Sequence, residues 1–263
     1  DWHTDFDEYK NSKKAVFKYQ KSGGRVVLNY DNDITREFGK ETDNAVYFSR
    51  KEILDNGFCL IGDKVVRRIN GRDEREVLDI NNIFIPGMHN VENYMAAAAA
   101  VEGLAEDGII RRTAIDFKGV PHRIEFIREV DGVKYYNDSI ASSPARTTAG
   151  LNSFGDKKVI LIAGGYDKKI PFDDFGKVVC DHVKALVLVG VTSEKIENAV
   201  RYAENFNNLP IYRCTEFKQA AEKAKEVAKD GDTVILSPAC ASFDLFKNFE
   251  ERGNTFKNIV KGF

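Results

Sequence analysis

The stretch Thr233-Val-Ile-Leu-Ser-Pro-Ala-Cys-Ala-Ser242 decides the fold of the second half of this chain. Its first four residues form a short apolar run that predicts a buried strand, and small residues mark the exit of that strand. Two similar runs, at residues 159–163 and 185–189, occur upstream, with helical patterns between the runs. Strands that are apolar on both faces and alternate with helices are typical of a parallel sheet covered on both sides. The second half is therefore predicted to be a doubly wound, Rossmann-like α/β domain.

A last helix is predicted just beyond this stretch. Phe243, Phe246 and Phe249 recur at helical spacing, and Ser242 and Asp244 stand where a helix would begin. A serine or aspartate there is a typical N-cap, which is the simplest structural interpretation. Small residues at a strand exit, followed by the N–H groups that open a helix, also form a pocket for an anion.

The first half of the chain has a less regular pattern of short strands and helices, which predicts a separate α/β domain. Gly62-Asp63 separates two apolar segments and predicts a two-residue hairpin. Residues 90–107 predict an amphipathic helix. Lys118-Gly-Val-Pro121 is the best candidate for a linker. We therefore place one domain at residues 1–120 and another at residues 121–263.

Composition excludes several classes of protein. The 263 residues include 39 basic and 41 acidic side chains, and such a balance argues against a dedicated nucleic-acid binder. No apolar run approaches the roughly 20 residues that span a bilayer, and the acidic N-terminus does not resemble a secretory signal. Four scattered cysteines form no CxxC pair, which indicates reduced thiols in a cytoplasm. We expect a cytoplasmic monomer without nucleic-acid or membrane partners.

Three loops that follow predicted strands carry groups suited to an anion. They are Ala163-Gly-Gly-Tyr-Asp-Lys-Lys169, Val189-Gly-Val-Thr-Ser193 and the residues 237–242 quoted above. Ligands of open α/β sheets bind beyond the carboxyl ends of the strands, so a lysine, hydroxyls and free N–H groups should meet there. For a glycine loop taken alone, the simpler interpretation is a chain turn beside a solvated Lys168. The three loops together favour a carboxylate or phosphate site.

Polar residues elsewhere could hold a nucleotide. Asn90 and Asn93 open the helix predicted at residues 90–107, and an asparagine amide complements an adenine edge, although Asn90 also fits a plain N-cap. Arg123, just beyond the linker, suits a phosphate or a stacked ring. Asp138 follows a predicted strand and could accept from ribose hydroxyls. Neither GxGxxG nor the phosphate loop GxxxxGK[ST] occurs, which disfavours a nicotinamide-dependent dehydrogenase.

In their order along the chain, these features resemble the Mur ligase superfamily. The box Gly87-Met-His-Asn90, the pair His122-Arg123 and the aspartate Asp138 are similar to the residues that hold ATP in that superfamily. The resemblance implies these nucleotide contacts: Asn93 at the adenine with Asn90 nearby, His122 and Arg123 at the nucleotide, and Asp138 at the ribose.

Within the superfamily, the chain resembles the branch whose members add D-glutamate. The segment Asn137-Asp-Ser-Ile-Ala-Ser-Ser-Pro144 carries this likeness, together with the loops at residues 163–169 and 237–242. Ile140 stands where the branch commonly has a lysine, which removes one expected contact. The resemblance implies that D-glutamate is bound by Lys168, Ser142, Ser242 and Phe249.

The N-terminal segment resembles the part of the family that carries a carbamylated lysine. Asp1-Trp-His3 followed by Tyr9-Lys-Asn-Ser-Lys13 is similar to the family pattern DHLDWH…YxxAK. The resemblance implies that Lys13 is carbamylated and binds Mg²⁺, since a carbamate is an anionic oxygen ligand. Lys14 is the alternative if the loop differs by one residue. Without the resemblance, a solvated helix lysine would be the better interpretation.

The resemblance as a whole implies an ATP- and Mg²⁺-dependent ligase that adds D-glutamate to UDP-N-acetylmuramoyl-L-alanine through an acyl phosphate. It covers the 263 residues, but neither a UDP-binding N-terminal domain nor a phosphate loop is among them. We therefore interpret the chain as part of the central ATPase domain followed by the C-terminal domain, inactive in isolation. The alternatives are another Mur or folylpolyglutamate-type ligase and a catalytically silent nucleotide- or amino-acid-binding module.

Overall fold

The computed structural model describes residues 3–21, 23–154 and 158–263. The chain divides into two compact α/β units. The first unit comprises Asp1–Phe84 with Met88–Phe117, and the second comprises Ile85–Gly87 with Lys118–Phe263.

The first unit is built on a mixed sheet with the strand order β1-β2-β3-β4-β5. The pairs β1–β2 and β2–β3 are parallel, whereas β3–β4 and β4–β5 are antiparallel. In chain order its elements are α1 (Phe6–Lys13), α2 (Ala15–Lys18), β1 (Val26–Asn29), α3 (Asp33–Phe38), β2 (Ala45–Ser49), β3 (Gly57–Ile61), β4 (Lys64–Ile69), β5 (Asp73–Asp79), α4 (Met88–Ala100) and α5 (Asp107–Asp116).

The hairpin predicted at Gly62-Asp63 is confirmed, and the helix predicted over residues 90–107 is shorter than expected. Gly62 has a positive φ of 57°, as a tight hairpin turn requires. Helix α4 ends at Ala100, where the Arg25 guanidinium bonds one carbonyl of its last turn and one just beyond it. Arg25 Nη1 donates to Ala99 O at 2.8 Å and to Glu102 O at 2.9 Å. A side-chain cation at this position also interacts favourably with the helix dipole.

The second unit is a doubly wound sheet with the strand order β10-β9-β8-β11-β7-β6. Every neighbouring pair is parallel except β6–β7, which confirms the predicted architecture. In chain order its elements are β6 (Glu125–Val130), β7 (Val133–Asn137), α6 (Pro144–Leu151), β8 (Val159–Ala163), α7 (Asp173–His182), β9 (Val183–Val189), α8 (Ser193–Arg201), β10 (Ile211–Cys214), α9 (Phe217–Val227), β11 (Thr233–Leu236) and α10 (Phe249–Lys261).

Helices cover both faces of this second sheet. One face packs against α6, α7 and α8, with Leu161 and Leu186 fully buried beneath them. The other face packs against α9 and α10, with Ile160 and Val234 fully buried. Alternate residues of the same strand thus enter opposite cores, which is why the strands have apolar side chains at successive positions.

The helix expected to open at Ser242 begins seven residues later, and one helix was not predicted at all. Helix α10 starts at Phe249, because Asn248 Oδ1 accepts from Glu251 N at 2.8 Å and so provides the N-cap. Residues 243–248 form a loop instead, in which the Phe246 ring packs edge-on against Phe217 at 4.9 Å. The short helix α6 also lies in the second unit, where the sequence pattern was not read as helical.

The close contact between α7 and α8 depends on the absence of a side chain at Gly176. A Cβ at Gly176 would lie 2.1 Å from Ala199 O on α8, so Gly176→Ala must push the helices apart. Overpacking of this kind costs about 1–3 kcal/mol of unfolding free energy. Urea unfolding measures the loss.

The matched control is Gly108→Ala in α5, where a Cβ would meet no atom within 4 Å. Alanine is the better helix former, so this change should leave stability unaltered or raise it by up to about 1 kcal/mol. Equal losses for the two variants would show that the close helix contact is not what Gly176 provides.

Candidate site at the carboxyl edge of the second sheet

The loops that follow β7, β8, β9 and β11 lie together at the carboxyl edge of the second sheet. They are called the rim below and comprise residues 138–143, 164–168, 190–193 and 237–242. Backbone hydrogen bonds join them directly: Gly164 N donates to Pro238 O at 2.9 Å, and Tyr166 N donates to Ala241 O at 2.9 Å. The predicted convergence of the three loops is therefore present in the fold.

The Gly164-Gly165 pair allows this close approach between backbones. Gly164 has φ of 113°, and a Cβ there would lie 2.0 Å from Val189 O. Gly165 has φ of 143°, and a Cβ there would lie 2.4 Å from Ala241 O. Any other residue would strain both the local conformation and the neighbouring loop. The glycines are thus explained by contacts within the protein.

Thr192 joins three of the rim loops through one buried hydroxyl. Its Oγ1 lies 3.0 Å from both Gly165 N and Gly165 O, and 3.1 Å from Cys240 Sγ. The hydroxyl can accept from the amide and donate to the carbonyl. Burial raises the pKa of the Cys240 thiol to about 11, so the sulfur remains a protonated, structural group.

Lys168 and Ser142, two of the residues assigned to D-glutamate, meet on the rim. Lys168 Nζ donates to Ser142 Oγ at 3.3 Å, although 26 residues separate them. Helix α6 begins next to Ser142, and within the described residues its N-cap, Ser143, makes no capping side-chain bond. A cation, a hydroxyl and an uncapped helix N-terminus together suit a carboxylate.

Ser242 and Phe249 are connected to the loops of this pair by hydrogen bonds to backbone carbonyls. Ala241, whose carbonyl bonds Tyr166 N, directly precedes Ser242, and Tyr166 is two residues from Lys168. Ser242 is only 3% exposed. Phe249 is the first residue of α10, and its ring meets the His122 ring edge-on at 5.8 Å. A hydrogen bond therefore joins Lys168 to Ser142 directly, whereas Phe249 is joined to the loop of Ser142 through Ser139 Oγ, which donates to Phe249 O at 2.8 Å.

Asp138 is a buried carboxylate that holds neighbouring segments in place. It is 4% exposed; Oδ1 accepts from Ile124 N at 3.2 Å, and Oδ2 accepts from Ser237 Oγ at 2.6 Å. Ser237 Oγ lies 3.0 Å from Thr147 Oγ1, which accepts from Ala239 N. Burial raises the pKa of Asp138 to about 6, against the opposing effect of these hydrogen bonds.

The bond from Ile124 matters because the backbone there is unusual. Ile124 has φ of 45° and His122 has φ of 65°. A β-branched residue in the left-handed region is strained and needs fixed partners. Asp138 supplies one such partner, and so it shapes the loop that carries Arg123.

His122 is a neutral, buried histidine whose tautomer follows from its network. Burial and the nearby Lys257 ammonium lower its pKa. Asn137 Oδ1 accepts from Ser139 N, so Asn137 Nδ2 faces His122 Nδ1 at 2.9 Å and Glu125 Oε2 at 3.0 Å. Because this amide nitrogen is a donor, Nδ1 accepts and Nε2 carries the proton.

The remaining nucleotide candidates are Arg123 and, in the first unit, two asparagines. Arg123 is exposed. Asn93 Nδ2 donates to Asn90 Oδ1 at 3.2 Å, so these two amides form a pair at the start of α4. Asn90 is 8% exposed, whereas Asn93 is more accessible, which fits a contact through Asn93 with Asn90 behind it.

Lys13 and Lys14 lie where α1 meets α2 and differ in their partners. Lys13 Nζ lies 5.1 Å from the centroid of the Tyr9 ring, whereas Lys14 Nζ is 2.6 Å from Glu41 Oε1. Lys14 is thus already paired with a carboxylate, which favours Lys13 as the lysine open to modification. Asp1 and Trp2 of the family-like segment lie outside the described residues.

The described part of the chain brings together no group of three His, Cys, Asp or Glu side chains able to hold a metal ion. Among its helices, none has the length and apolar character to cross a bilayer.

The pKa of Asp138 gives a pH-dependent prediction. A carboxyl whose folded pKa is raised binds more protons in the folded state, so stability falls as pH rises from about 4 to about 6. A shift from 3.8 to about 6 corresponds to about 3 kcal/mol. Asp138→Asn should remove this loss, and urea titrations of both proteins across pH 4–8 measure it.

Asp131→Asn, which removes an exposed charge from the β6–β7 turn, is the control for net charge. If the wild type and Asp138→Asn differed in stability by the same amount at every pH, Asp138 would not titrate as its burial requires.

Comparison with known proteins identifies relatives of both parts of the chain. The family model described as the Mur ligase middle domain matches residues 1–101, and the model described as the Mur ligase glutamate ligase domain matches residues 122–240. UDP-N-acetylmuramoylalanine–D-glutamate ligases from Acetivibrio thermocellus and Clostridium novyi are 54% and 51% identical over 99% of this chain. The chain spans 56% of the length of each of these relatives.

Solved structures share the fold at low sequence identity. The ligase MurC from Thermotoga maritima has a TM-score of 0.68 and 16% identity, over 98% of this chain and 56% of its own. MurF from Thermotoga maritima, solved with ADP, has a TM-score of 0.63 and 15% identity, over 97% of this chain and 58% of its own. The two matched domains, which occur in this order along one chain, and the two close relatives show that the chain belongs to the Mur ligase family.

Proposed function

We propose that these residues belong to a ligase that adds D-glutamate to UDP-N-acetylmuramoyl-L-alanine at the expense of ATP, in the synthesis of peptidoglycan precursors. The observation that carries the proposal is the contact between Lys168 Nζ and Ser142 Oγ on the rim. The identity of 54% to a relative named for this reaction supports the choice of amino acid. Because the chain spans 56% of that relative, the activity is assigned to the whole enzyme.

The Lys168–Ser142 pair is suited to a carboxylate of D-glutamate. A carboxylate oxygen accepts a charge-assisted bond from the ammonium and a second bond from the hydroxyl. The uncapped N-terminus of α6 adds a favourable dipole at the same position. Ser242 belongs to the rim, and Phe249 is joined to it through the bond from Ser139 Oγ, so these two residues are assigned to the rest of the amino acid.

The nucleotide is assigned to the residues that resemble the ATP-holding positions of the family. The exposed guanidinium of Arg123 suits a phosphate, and Asn93 presents an amide for the adenine. His122 acts through the loop that it shares with Arg123. The burial of Asp138 favours a role in positioning this loop over a direct bond to the ribose.

The reaction proceeds in two steps. The γ-phosphoryl group of ATP passes to the carboxylate of the acceptor, which gives an acyl phosphate and ADP. The amine of D-glutamate then attacks the acyl carbon, phosphate leaves, and an amide bond results. No side chain of this chain needs to act as nucleophile; the rim holds D-glutamate so that its amine meets the acyl carbon.

Magnesium is assigned to the carbamate of Lys13. Lys13 is preferred to Lys14 because Lys14 is already paired with Glu41. Bound there, the metal would neutralise charge on the phosphate groups of ATP. We place the enzyme in the cytoplasm as a monomer. Its four cysteines are free thiols, in keeping with a reducing compartment.

An amino-acid panel tests the assignment of substrate. A full-length ligase that contains these residues is given ATP, UDP-N-acetylmuramoyl-L-alanine and one of D-glutamate, L-glutamate, L-alanine or meso-diaminopimelate. We expect phosphate release and amide product with D-glutamate alone. Product with another amino acid would assign a different Mur ligase activity, and binding without turnover would indicate a silent module.

Lys168→Met in the same enzyme tests the site. Loss of a charge-assisted hydrogen bond costs about 1.5–3 kcal/mol, so KM for D-glutamate should rise by roughly 10- to 100-fold. KM for ATP should change little, because the nucleotide residues lie elsewhere on the chain.

Ser142→Ala should raise KM for D-glutamate by a smaller factor, since the lost partner is neutral. The control is Lys177→Ala, which removes an exposed lysine of the same unit that pairs with Glu204. Equal rises in KM for D-glutamate and for ATP after Lys168→Met would contradict the assigned role.

A further inference from the structure

Arg252 is a buried cation on α10 that none of the sequence patterns singled out. Its side chain is 2% exposed. Nε donates to Ser139 Oγ at 3.0 Å, and Nη2 donates to Ser139 O at 2.9 Å and to Cys240 O at 3.1 Å. Nη1 donates to Ala241 O at 3.1 Å. These four partners are neutral oxygens, and all of them belong to the rim.

Each partner lies in a loop that carries an assigned D-glutamate contact. Ser139 is three residues from Ser142, and Ala241 directly precedes Ser242. One planar guanidinium therefore fixes the distance between the loop after β7 and the loop after β11. A fork of donors with fixed geometry suits such a cross-link.

The same atoms extend the connection to the other two contacts. Ser139 Oγ, which accepts from Arg252, donates to Phe249 O at 2.8 Å. Ala241 O, which also accepts from Arg252, accepts from Tyr166 N at 2.9 Å, two residues before Lys168. Arg252 is therefore connected to every assigned contact by at most two hydrogen bonds and three residues of chain.

We infer that Arg252 is the positioning residue of the amino-acid site, which holds the segments bearing Ser142, Ser242, Phe249 and Lys168 in register without touching the substrate itself. The inference rests on the proposed function, because it takes D-glutamate as the ligand of the rim. It adds a residue that acts on the substrate only by holding the rim loops and the start of α10 in place.

The chemistry of the side chain explains why arginine is needed here. Burial lowers its pKa to about 10, so it stays protonated at neutral pH. A lysine would keep the charge but offers one nitrogen instead of a planar fork, and it cannot reach both loops with the same geometry. An apolar side chain would leave the carbonyls of Ser139, Cys240 and Ala241 with fewer partners.

The test compares Arg252→Lys and Arg252→Met with the wild type in a full-length ligase that contains these residues. We expect KM for D-glutamate to rise by roughly tenfold or more, because small displacements of binding groups weaken binding strongly. KM for ATP should stay within about twofold of the wild type, and Arg252→Met should have the larger effect.

Phe256→Leu is the matched control. Phe256 lies one turn further along α10 and is fully buried in the core, so its substitution destabilises the same helix away from the rim. It should lower thermal stability and leave the ratio of the two KM values unchanged. If Phe256→Leu shifted that ratio as much as Arg252→Lys does, the effect of Arg252 would be one of general stability, and the inference would fail.

Backbone hydrogen exchange separates this inference from the proposed function. Arg252→Lys should speed amide exchange in residues 139–143 and 239–246 and leave strands β8 and β9 protected, whatever the substrate is. If the wild-type enzyme did not add D-glutamate, the proposed function would be wrong. Faster exchange in the rim loops of Arg252→Lys would still show that Arg252 holds these loops. Unchanged exchange in these loops would overturn the role of Arg252 even in an active D-glutamate ligase.

Ser139→Ala is the second variant in case both arginine variants fail to fold. It removes the hydroxyl that accepts from Arg252 Nε and donates to Phe249 O, but it keeps the Ser139 carbonyl. We expect a rise in KM for D-glutamate of a few-fold, again without a matching rise for ATP. An unchanged KM for D-glutamate would contradict the inference.

Discussion

The arrangement of the site depends on how the polar backbone groups of the rim are satisfied. Parallel strands end at one edge of the second sheet, and the buried N–H and C=O groups beyond them need partners. Neighbouring loops supply some of these partners, as Pro238 does for Gly164. Buried side chains supply the others: Thr192 serves the glycine loop, and Arg252 serves the loops after β7 and β11. The residues assigned to the substrate, from the exposed Lys168 to the buried Ser242, are carried by these hydrogen-bonded loops or begin the helix next to them.

A similar arrangement supports the nucleotide residues. Arg123 is exposed, but the loop around it has left-handed residues and is held by Asp138 and Glu125. Glu125 in turn pairs with Lys257 on α10 at 3.0 Å. Helix α10 therefore contributes to both groups of residues, with Arg252 bonding the amino-acid loops and Lys257 reaching the network behind His122. Gly253 lies between them, and a Cβ there would meet His122 Nδ1 at 2.2 Å.

The parallel sheet could be predicted because its strands are buried on both faces and so leave continuous apolar runs. The proximity of Lys168 and Ser142 could be predicted for a related reason, since the carboxyl ends of parallel strands meet at one edge of the sheet. The start of α10 could not be predicted, because Phe243 and Phe246 have helical spacing but lie in a loop, where Phe246 packs on Phe217. Helix α6 was missed because threonines, alanines and an arginine give no clear apolar stripe.

Arg252 could not be found from the sequence, since an arginine after two glutamates on a helix is usually exposed. Its burial depends on four acceptors that lie more than ten residues away along the chain. One indication was present in the sequence: Arg252 falls between Phe249 and Phe256 at helical spacing, where an apolar side chain would be expected. Buried polar residues of this kind are set by tertiary contacts, which local periodicity does not record.

A crystal structure of the full-length enzyme with D-glutamate bound would show directly which residues hold the amino acid. We expect a carboxylate of D-glutamate within hydrogen-bonding distance of Lys168 Nζ and Ser142 Oγ, with Arg252 bonded to the loops behind and not to the ligand. D-glutamate bound away from the carboxyl edge of the second sheet would contradict this expectation.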